Sequence, residues 1–231
     1  MKTIIRILLG CAVAFLCFIC VNSVTTPIKF EKVRAEREPA VIKNLVALRT
    51  AENEFRMQNG RFTANLDSLI LFVKTGTKKE VVKEGALTDK QLEEGLTELK
   101  AVRMIQKAQK TGNWKEVKEA GLEGFKRDTI SAPLLSSLYK GAYDEKTIEE
   151  IVYVPYSNGK KYEVLVNDNY STAQGIRVPL VEVRAAFDIW MADQDAQELV
   201  NLNDKEEQLG HFAGLRFGNI DEPNNNAGNW E

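Results

Sequence analysis

The first 24 residues constrain this chain more than any other segment. A short head with Lys2 and Arg6 is followed at residues 7–21 by fifteen uncharged, almost entirely apolar residues. Signal-peptide cores have about 7–15 residues, whereas membrane spans have about 20 and at the shortest about 17. The run therefore fits a cleaved signal peptide or, extended to Val24, a short span. Because Val21-Asn22-Ser23 is a poor small-residue cleavage site, we expect residues 1–24 to be a retained transmembrane signal anchor.

The flanking charges predict the orientation of this anchor. Lys2 and Arg6 precede the apolar run, and basic residues stay on the cytoplasmic side of a membrane. We therefore expect a single-pass inner-membrane protein whose carboxy-terminal domain lies in the periplasm. The three cysteines all lie in the apolar run, so the rest of the chain has no thiol for a disulfide or a nucleophile; they are Cys11, Cys17 and Cys20.

Composition excludes several classes of function. The 31 basic and 33 acidic residues give a net charge of −2, which argues against nucleic acid as a partner. The single histidine, His211, excludes a multi-histidine metal site, and it has no nucleophile motif beside it. The chain also lacks a Gly-rich phosphate loop and a DxDxDG calcium loop. We expect a protein that is not an enzyme and binds no cofactor or metal.

Residues 25–60 predict a juxtamembrane amphipathic helix that ends at Gly60. Pro39 fits its first turn, or a position inside a longer helix. Two interpretations of its apolar stripe remain: packing on its own domain, or a coiled-coil or filament seam. Only two heptads are visible, which favours the first. If the stripe is instead a seam, the candidate interaction residues are Val41, Leu45, Leu48 and Phe55.

Residues 61–146 predict a helical region that contains a charged insertion. Thr63 or Asn65 begins a short helix over 63–76, with an apolar face of Leu66, Leu69, Ile70 and Val73. Residues 77–86 are expected to form a charged loop. A third helix is expected over 89–110, and the Lys- and Glu-rich segment 77–124 has the composition of an insertion.

Residues 147–218 predict an antiparallel β region. The Asn158-Gly159 pair between two alternating runs is typical of a hairpin, and 176–187 adds a third run in which Pro179 suggests an edge strand or a bulge. Residues 193–209 are expected to be acidic loop or short helix. Residues 219–231 are expected to form an extended polar tail, whose Trp230 either folds back or contacts a partner. The expected fold class is α+β.

Two kinds of surface feature suggest further interactions. Ser68 and Thr129 lie in Asp-Ser/Thr-apolar tripeptides of the kind that is O-glycosylated in Bacteroidota. Tyrosines around the hairpin are candidates for a carbohydrate or peptide platform, or for half-buried sheet neighbours; they are Tyr153, Tyr156, Tyr162 and Tyr170. An alternative function is therefore a periplasmic module, with a cleaved signal peptide, that binds a glycan, a peptide or calcium.

The order of these segments resembles the plan of type IV pilins and type II secretion pseudopilins. The resemblance is carried by an apolar helix, an amphipathic helix ending near an Asn-Gly turn, and a following sheet; the matching residues are Leu45, Leu48, Arg49, Ala51, Glu52, Phe55, Asn59, Gly60 and Phe62. The Gly-Phe junction and the Glu five residues into the apolar run of those families are absent here. The resemblance implies a pilin-like fold.

The chain also resembles an uncharacterised family of single-pass envelope proteins of Bacteroidota. The stretches that carry this resemblance are residues 36–45, 66–76, 125–130, 193–202 and 222–231. It implies an inner-membrane anchor and a periplasmic domain, without an activity. From these features we expect a structural or scaffold protein of an envelope assembly or secretion system, whose partners are the inner membrane and itself or other envelope proteins.

Overall fold

The computed structural model describes residues 2–93, 95–122 and 124–231, and for residues 2, 3, 5, 80–84 and 126–130 it describes the backbone alone. The chain divides into two compact units, the first made of Met1–Lys74 and Leu138–Glu231 and the second of Thr75–Ser137. The fold is α+β, with a long apolar amino-terminal helix and small antiparallel sheets, as the sequence predicts. The second unit includes the segment 77–124 that has the composition of an insertion.

One helix, α1 (Lys2–Asn59), contains both the apolar segment and the juxtamembrane helix. At about 1.5 Å per residue, its 58 residues span about 87 Å. Pro27 and Pro39 lie inside it, so Pro39 occupies a position within a longer helix and does not begin a new one. The most apolar stretch has a mean hydropathy of 2.5 and is long enough to cross a membrane.

The carboxy-terminal half of α1 is the centre of the first unit. Val41, Leu45, Leu48 and Ala51 follow one another at helical spacing, and each is 0% exposed. The helix ends where the sequence predicts, because Gly60 adopts a φ of +75° and its N–H donates to the Arg56 carbonyl at 2.8 Å.

The next helix, α2 (Leu66–Thr75), also matches its sequence pattern. Its cap is Asn65 and not Thr63, because the Asn65 side-chain oxygen accepts from the backbone N–H groups of Asp67 and Ser68, both at 3.0 Å. All four residues of the predicted apolar face are buried. Local capping and a four-residue apolar stripe are therefore sufficient to place this helix.

The first unit contains a three-stranded antiparallel sheet of β3 (Glu163–Asn167), β4 (Leu180–Ala186) and β5 (Gly214–Gly218), in the order β3-β4-β5. Its central strand, β4, is buried on both faces, since Val181, Glu182 and Val183 are each 2% exposed or less. The remaining elements of this unit are a 3-10 helix (Thr147–Val152), α7 (Phe187–Trp190) and α8 (Ala196–Gln208).

The structure corrects two expectations for this region. Residues 147–152 form a 3-10 helix, and the predicted first hairpin strand is reduced to a single bridge between Tyr153 and Lys161. Pro179 precedes the central strand, where its missing N–H is tolerated just outside the ladder. Of the loop and the short helix that were expected within residues 193–209, the structure has a helix, α8, which Asp195 caps.

Tyrosine hydroxyl groups attach the rest of this unit to α1. Tyr162 is 3% exposed, and its hydroxyl donates to the Val41 carbonyl at 3.0 Å. The Tyr139 hydroxyl donates to the Ala47 carbonyl at 2.8 Å. Burial raises the pKa of both phenols above their usual range, so both stay protonated donors.

The second unit has its own sheet and its own core. The strands β1 (Thr77–Glu84) and β2 (Lys126–Pro133) pair antiparallel, so the expected loop at 77–86 is mostly a strand.

The expected helix 89–110 is broken into α3 (Asp89–Glu93) and α4 (Glu98–Thr111), because Gly95 adopts a φ of +77° and Thr97 caps α4. With α5 (Lys115–Glu119), they surround a core of Ala101, Ala108, Val117, Leu122 and Phe125. After β2 the chain forms α6 (Leu134–Tyr139), whose last two residues belong to the first unit.

Two glycines with the same backbone conformation offer a test of the packing around β5. Gly218 and Gly60 both have a φ of +75°. A Cβ on Gly218 would lie 2.0 Å from the Val181 carbonyl oxygen, whereas one on Gly60 would meet nothing within 4 Å. We expect Gly218→Ala to lower the free energy of unfolding by about 2 kcal/mol more than Gly60→Ala. Urea unfolding of both variants checks this, and equal losses would contradict it.

Candidate functional sites along the amino-terminal helix

The amino-terminal half of α1 is exposed on every side. Its large apolar side chains are 45–68% exposed from Ile4 to Ile28, and Phe30 is the first residue that the first unit buries. All three cysteines lie in this half and are exposed. An apolar surface that surrounds a helix needs a lipid or protein environment, so this half is the main candidate for an interaction site.

The candidate seam residues lie in the carboxy-terminal half of α1. Val41, Leu45 and Leu48 are 0% exposed inside the first unit. Phe55 is half-buried and packs edge-to-face on Phe72, with ring centroids 5.0 Å apart. The burial of Val41, Leu45 and Leu48 agrees with the favoured interpretation, in which the stripe packs on its own domain, and it leaves these three side chains no surface for a seam partner.

The carboxy-terminal tail is held against β5. The Asn229 backbone N–H donates to the Arg216 carbonyl, and the Asn229 side-chain oxygen accepts from the Arg216 N–H, both at 3.0 Å. Its amide nitrogen donates to the Gly214 carbonyl at 2.9 Å. Gly228 forms a bridge with Phe217, so the tail runs along β5 as a short additional edge.

The same tail contacts α1. The Asn226 amide donates to the Asn53 side-chain oxygen at 2.7 Å, and Arg49 pairs with Glu231 at 2.5 Å.

Trp230 is half-buried against Gly228, and the Arg49 guanidinium lies 6.0 Å from its ring. Trp230 therefore folds back onto the protein, which is one of the two interpretations that the sequence allowed. A glycine is required at 228, since a Cβ there would lie 2.5 Å from the Trp230 ring.

A buried carboxyl group lies near the end of α1. Glu52 is 0% exposed, and its Oε2 accepts from the Thr63 backbone N–H at 3.2 Å. Its Oε1 has no hydrogen-bond partner among the residues that the structure describes. Burial raises the pKa of Glu52 to about 8, and the Thr63 hydrogen bond opposes the shift, so the group is a neutral acid at pH 7. Glu52 is not among the predicted site residues, although its place four residues after Leu48, on the apolar stripe, is visible in the sequence.

A second polar contact joins α1 to the turn after α7. The Arg37 guanidinium donates two hydrogen bonds to Asp193, at 2.5 and 2.7 Å, and a third to the Trp190 carbonyl at 2.8 Å. These bonds lower the pKa of Asp193 to about 2. The two partners are 156 residues apart, so no local pattern could have found the pair.

The Arg37–Asp193 pair should make the free energy of unfolding depend on pH. Because the Asp193 pKa lies below its usual 3.8, the stabilisation is present above about pH 4 and is lost as pH falls through 2. The Asp193 side chain is 58% exposed, so solvent screening reduces the effect of Asp193→Asn to about 1 kcal/mol at pH 7. Urea unfolding checks this, with the exposed Asp168→Asn as control. An equal loss in both variants would contradict it.

The remaining sequence candidates are dispersed. Ser68 is exposed in the first turn of α2, whereas Thr129 lies in β2, where its side chain is outside the described part of the chain. His211 is exposed beside Glu206, 3.2 Å from its carboxylate. Among the side chains that the structure describes, no three of His, Cys, Asp or Glu are grouped so that they could hold a metal ion.

The hairpin tyrosines separate into two kinds. Tyr162 is buried and Tyr170 is half-buried, as expected for sheet neighbours. Tyr153 and Tyr156 are 43% and 54% exposed. Each has a cation near its ring: Lys161 lies 5.8 Å from the Tyr153 centroid, and Arg37 lies 4.8 Å from that of Tyr156. Of the four tyrosines, only these two present enough ring surface to contact a ligand.

No protein-family model, curated protein or solved structure matches this chain.

Proposed function

We propose that this chain is a non-enzymatic, membrane-anchored structural protein, similar in plan to a pilin or pseudopilin, in an envelope assembly or secretion system. The observation that carries the proposal is the division of α1 into two halves. The first half is apolar on all sides and exposed, and the second half is enclosed by a globular unit. One helix therefore joins an anchor to a folded domain.

The charges around the anchor support a single-pass orientation. Lys2 and Arg6 precede the apolar stretch, so the amino terminus stays in the cytoplasm and the folded domain lies in the periplasm. The first charged residue after the stretch is Lys29, and exposed charges such as Lys32 and Glu36 follow it. An uncharged run bounded by charges at both ends fits an anchor in the inner membrane.

The same apolar half supports self-association. Gly10 and Ala14 are four residues apart, and a Cβ on Gly10 would meet nothing within 4 Å. Small residues at this spacing allow two membrane helices to approach closely. At about 100° per residue, Cys17 lies about 20° from Gly10 around the helix, whereas Cys11 and Cys20 lie about 100° and 80° away. A contact through Gly10 and Ala14 would bring two Cys17 side chains together.

The three native cysteines therefore test the proposal. We would make three variants that each keep one cysteine and replace the other two with alanine, then oxidise intact membranes and separate the proteins without reductant. We expect the Cys17-only chain to form a disulfide-linked dimer, and the Cys11-only and Cys20-only chains to form several-fold less. Gly10→Leu in the Cys17-only chain should abolish the dimer, because the helices can no longer approach closely.

Two outcomes would overturn the proposal. If none of the three chains forms a dimer, the apolar half does not self-associate in the membrane. If the mature protein is soluble and begins near Val24, the segment is a cleaved signal peptide, and the alternative ligand-binding module becomes the better explanation. Amino-terminal sequencing of the purified chain distinguishes the second outcome from the first.

A further inference from the structure

The backbone of Tyr156 is held in an unfavourable conformation. Its φ is +63°, in the left-handed region that bulky side chains avoid. Asn158 and Gly159 in the same turn also have positive φ, at 55° and 84°, but asparagine and glycine tolerate it. Because Tyr156 is 54% exposed, burial of its ring does not account for a tyrosine at this position. Such strain is frequent at ligand-binding sites.

The ring of Tyr156 is fixed from one side. The Arg37 guanidinium lies 4.8 Å from the ring centroid. Arg37 is itself held by the two bonds to Asp193 and by the Trp190 carbonyl. The Tyr156 ring is thus supported by a cation that cannot easily move. The exposed part of the ring can therefore contact a ligand without further ordering.

A cleft of about 300 Å³ lies beside this ring. Its polar lining includes Ser157, Asn158, Lys160 and Asp193, and Ile189 is among its apolar residues. The Ser157 hydroxyl is already used, because it donates to the Val154 carbonyl at 2.6 Å. Asn158 and Lys160 are exposed, so an amide and an ammonium group are available at the edge of the cleft. The volume suits a small ligand.

We propose that this cleft binds a saccharide that carries a carboxylate. The apolar face of a sugar ring fits against the exposed part of Tyr156, and its hydroxyl groups fit the amide of Asn158 and the carboxylate of Asp193. Arg37 and Asp193 neutralise each other, so the ammonium of Lys160 leaves the cleft positive and favours an acidic sugar. This site is independent of the contact through Gly10 and Ala14, and either can fail without the other.

The test uses the full chain in a detergent without a sugar headgroup. The probes are a trimer of galacturonic acid and maltotriose, a neutral trimer of the same length, and binding is measured by calorimetry. We expect the acidic trimer to bind more tightly than maltotriose. Tyr156→Ala should weaken the binding of the acidic trimer by about tenfold or more. Lys160→Gln should remove the preference for the acidic trimer, because the charge that distinguishes the two probes is lost.

Two variants separate binding from folding. Tyr156→Gly should abolish binding without lowering the melting temperature, since glycine adopts the left-handed conformation without strain. Lys140→Gly relieves the same kind of strain, at a φ of +50°, outside the cleft, and should leave binding unchanged. The proposal is overturned if millimolar acidic trimer does not bind, if Tyr156→Ala binds as the parent does, or if Lys140→Gly weakens binding equally.

Discussion

Replacing Leu45 by alanine should lower the free energy of unfolding by about 4 kcal/mol. Leu45 is 0% exposed between neighbours that are equally buried, so its removal leaves a cavity that the surrounding side chains cannot fill. The measurement is urea unfolding of the full chain in detergent, followed by tryptophan fluorescence. Trp190 is a suitable reporter because it is 0% exposed in the same unit.

The matched control for this variant is Leu8→Ala on the same helix. Leu8 is 68% exposed, so its shortening should leave the unfolding of the domain unchanged. Unchanged stability in Leu45→Ala would mean that the residue contacts a partner and not its own domain. The two variants together therefore test the division of α1 into an exposed and an enclosed half.

The stability of the first unit should fall by about 3.5 kcal/mol as pH rises from 5 to 8, because of Glu52. The pKa of Glu52 is about 8 in the folded chain, against 4.5 for an ordinary glutamate. Between these values the folded chain binds the proton and the unfolded chain releases it, so the stabilisation is complete below about pH 4.5 and is lost as pH approaches 8. Unfolding curves at a series of pH values measure this slope.

Glu52→Gln should remove the slope. The glutamine oxygen can still accept the Thr63 N–H, and it never becomes charged, so this variant should be more stable than the parent above pH 8. Glu163→Gln is the control. Its hydrogen bonds with Arg184 lower the pKa of Glu163, so it does not titrate between pH 5 and 8 and should keep the parent slope. A flat profile in the parent would show that Glu52 is not a buried neutral acid.

Local patterns in the sequence were sufficient for the carboxy-terminal half of α1 and for α2. The apolar run, the stripe from Val41 to Ala51, the stop at Gly60 and the short helix α2 all rest on contacts between residues close in the chain. Capping, helical spacing and a left-handed glycine act within one or two turns. For this reason the fold class and the existence of one helix that can cross a membrane could be read directly.

The sites required contacts between distant residues. The strand β5 has no clear signal in the sequence, because its five residues contain glycine at both ends and acquire strand structure only by pairing with β4. The Arg37–Asp193 pair and the docking of Asn229 on β5 likewise join residues that no local period relates. Cross-strand pairing and burial depend on which segments meet in space.

An apolar helix, a following amphipathic helix and an α+β chain without a thiol beyond Cys20 follow from the order of the residues alone. The packed fold was needed to show that Val41, Leu45 and Leu48 are core, that Glu52 is buried with them, and that Tyr156 is strained beside a cleft. An amphipathic stripe has the same spacing whether it faces its own domain or another molecule. The choice between them depends on the sheet that packs on it.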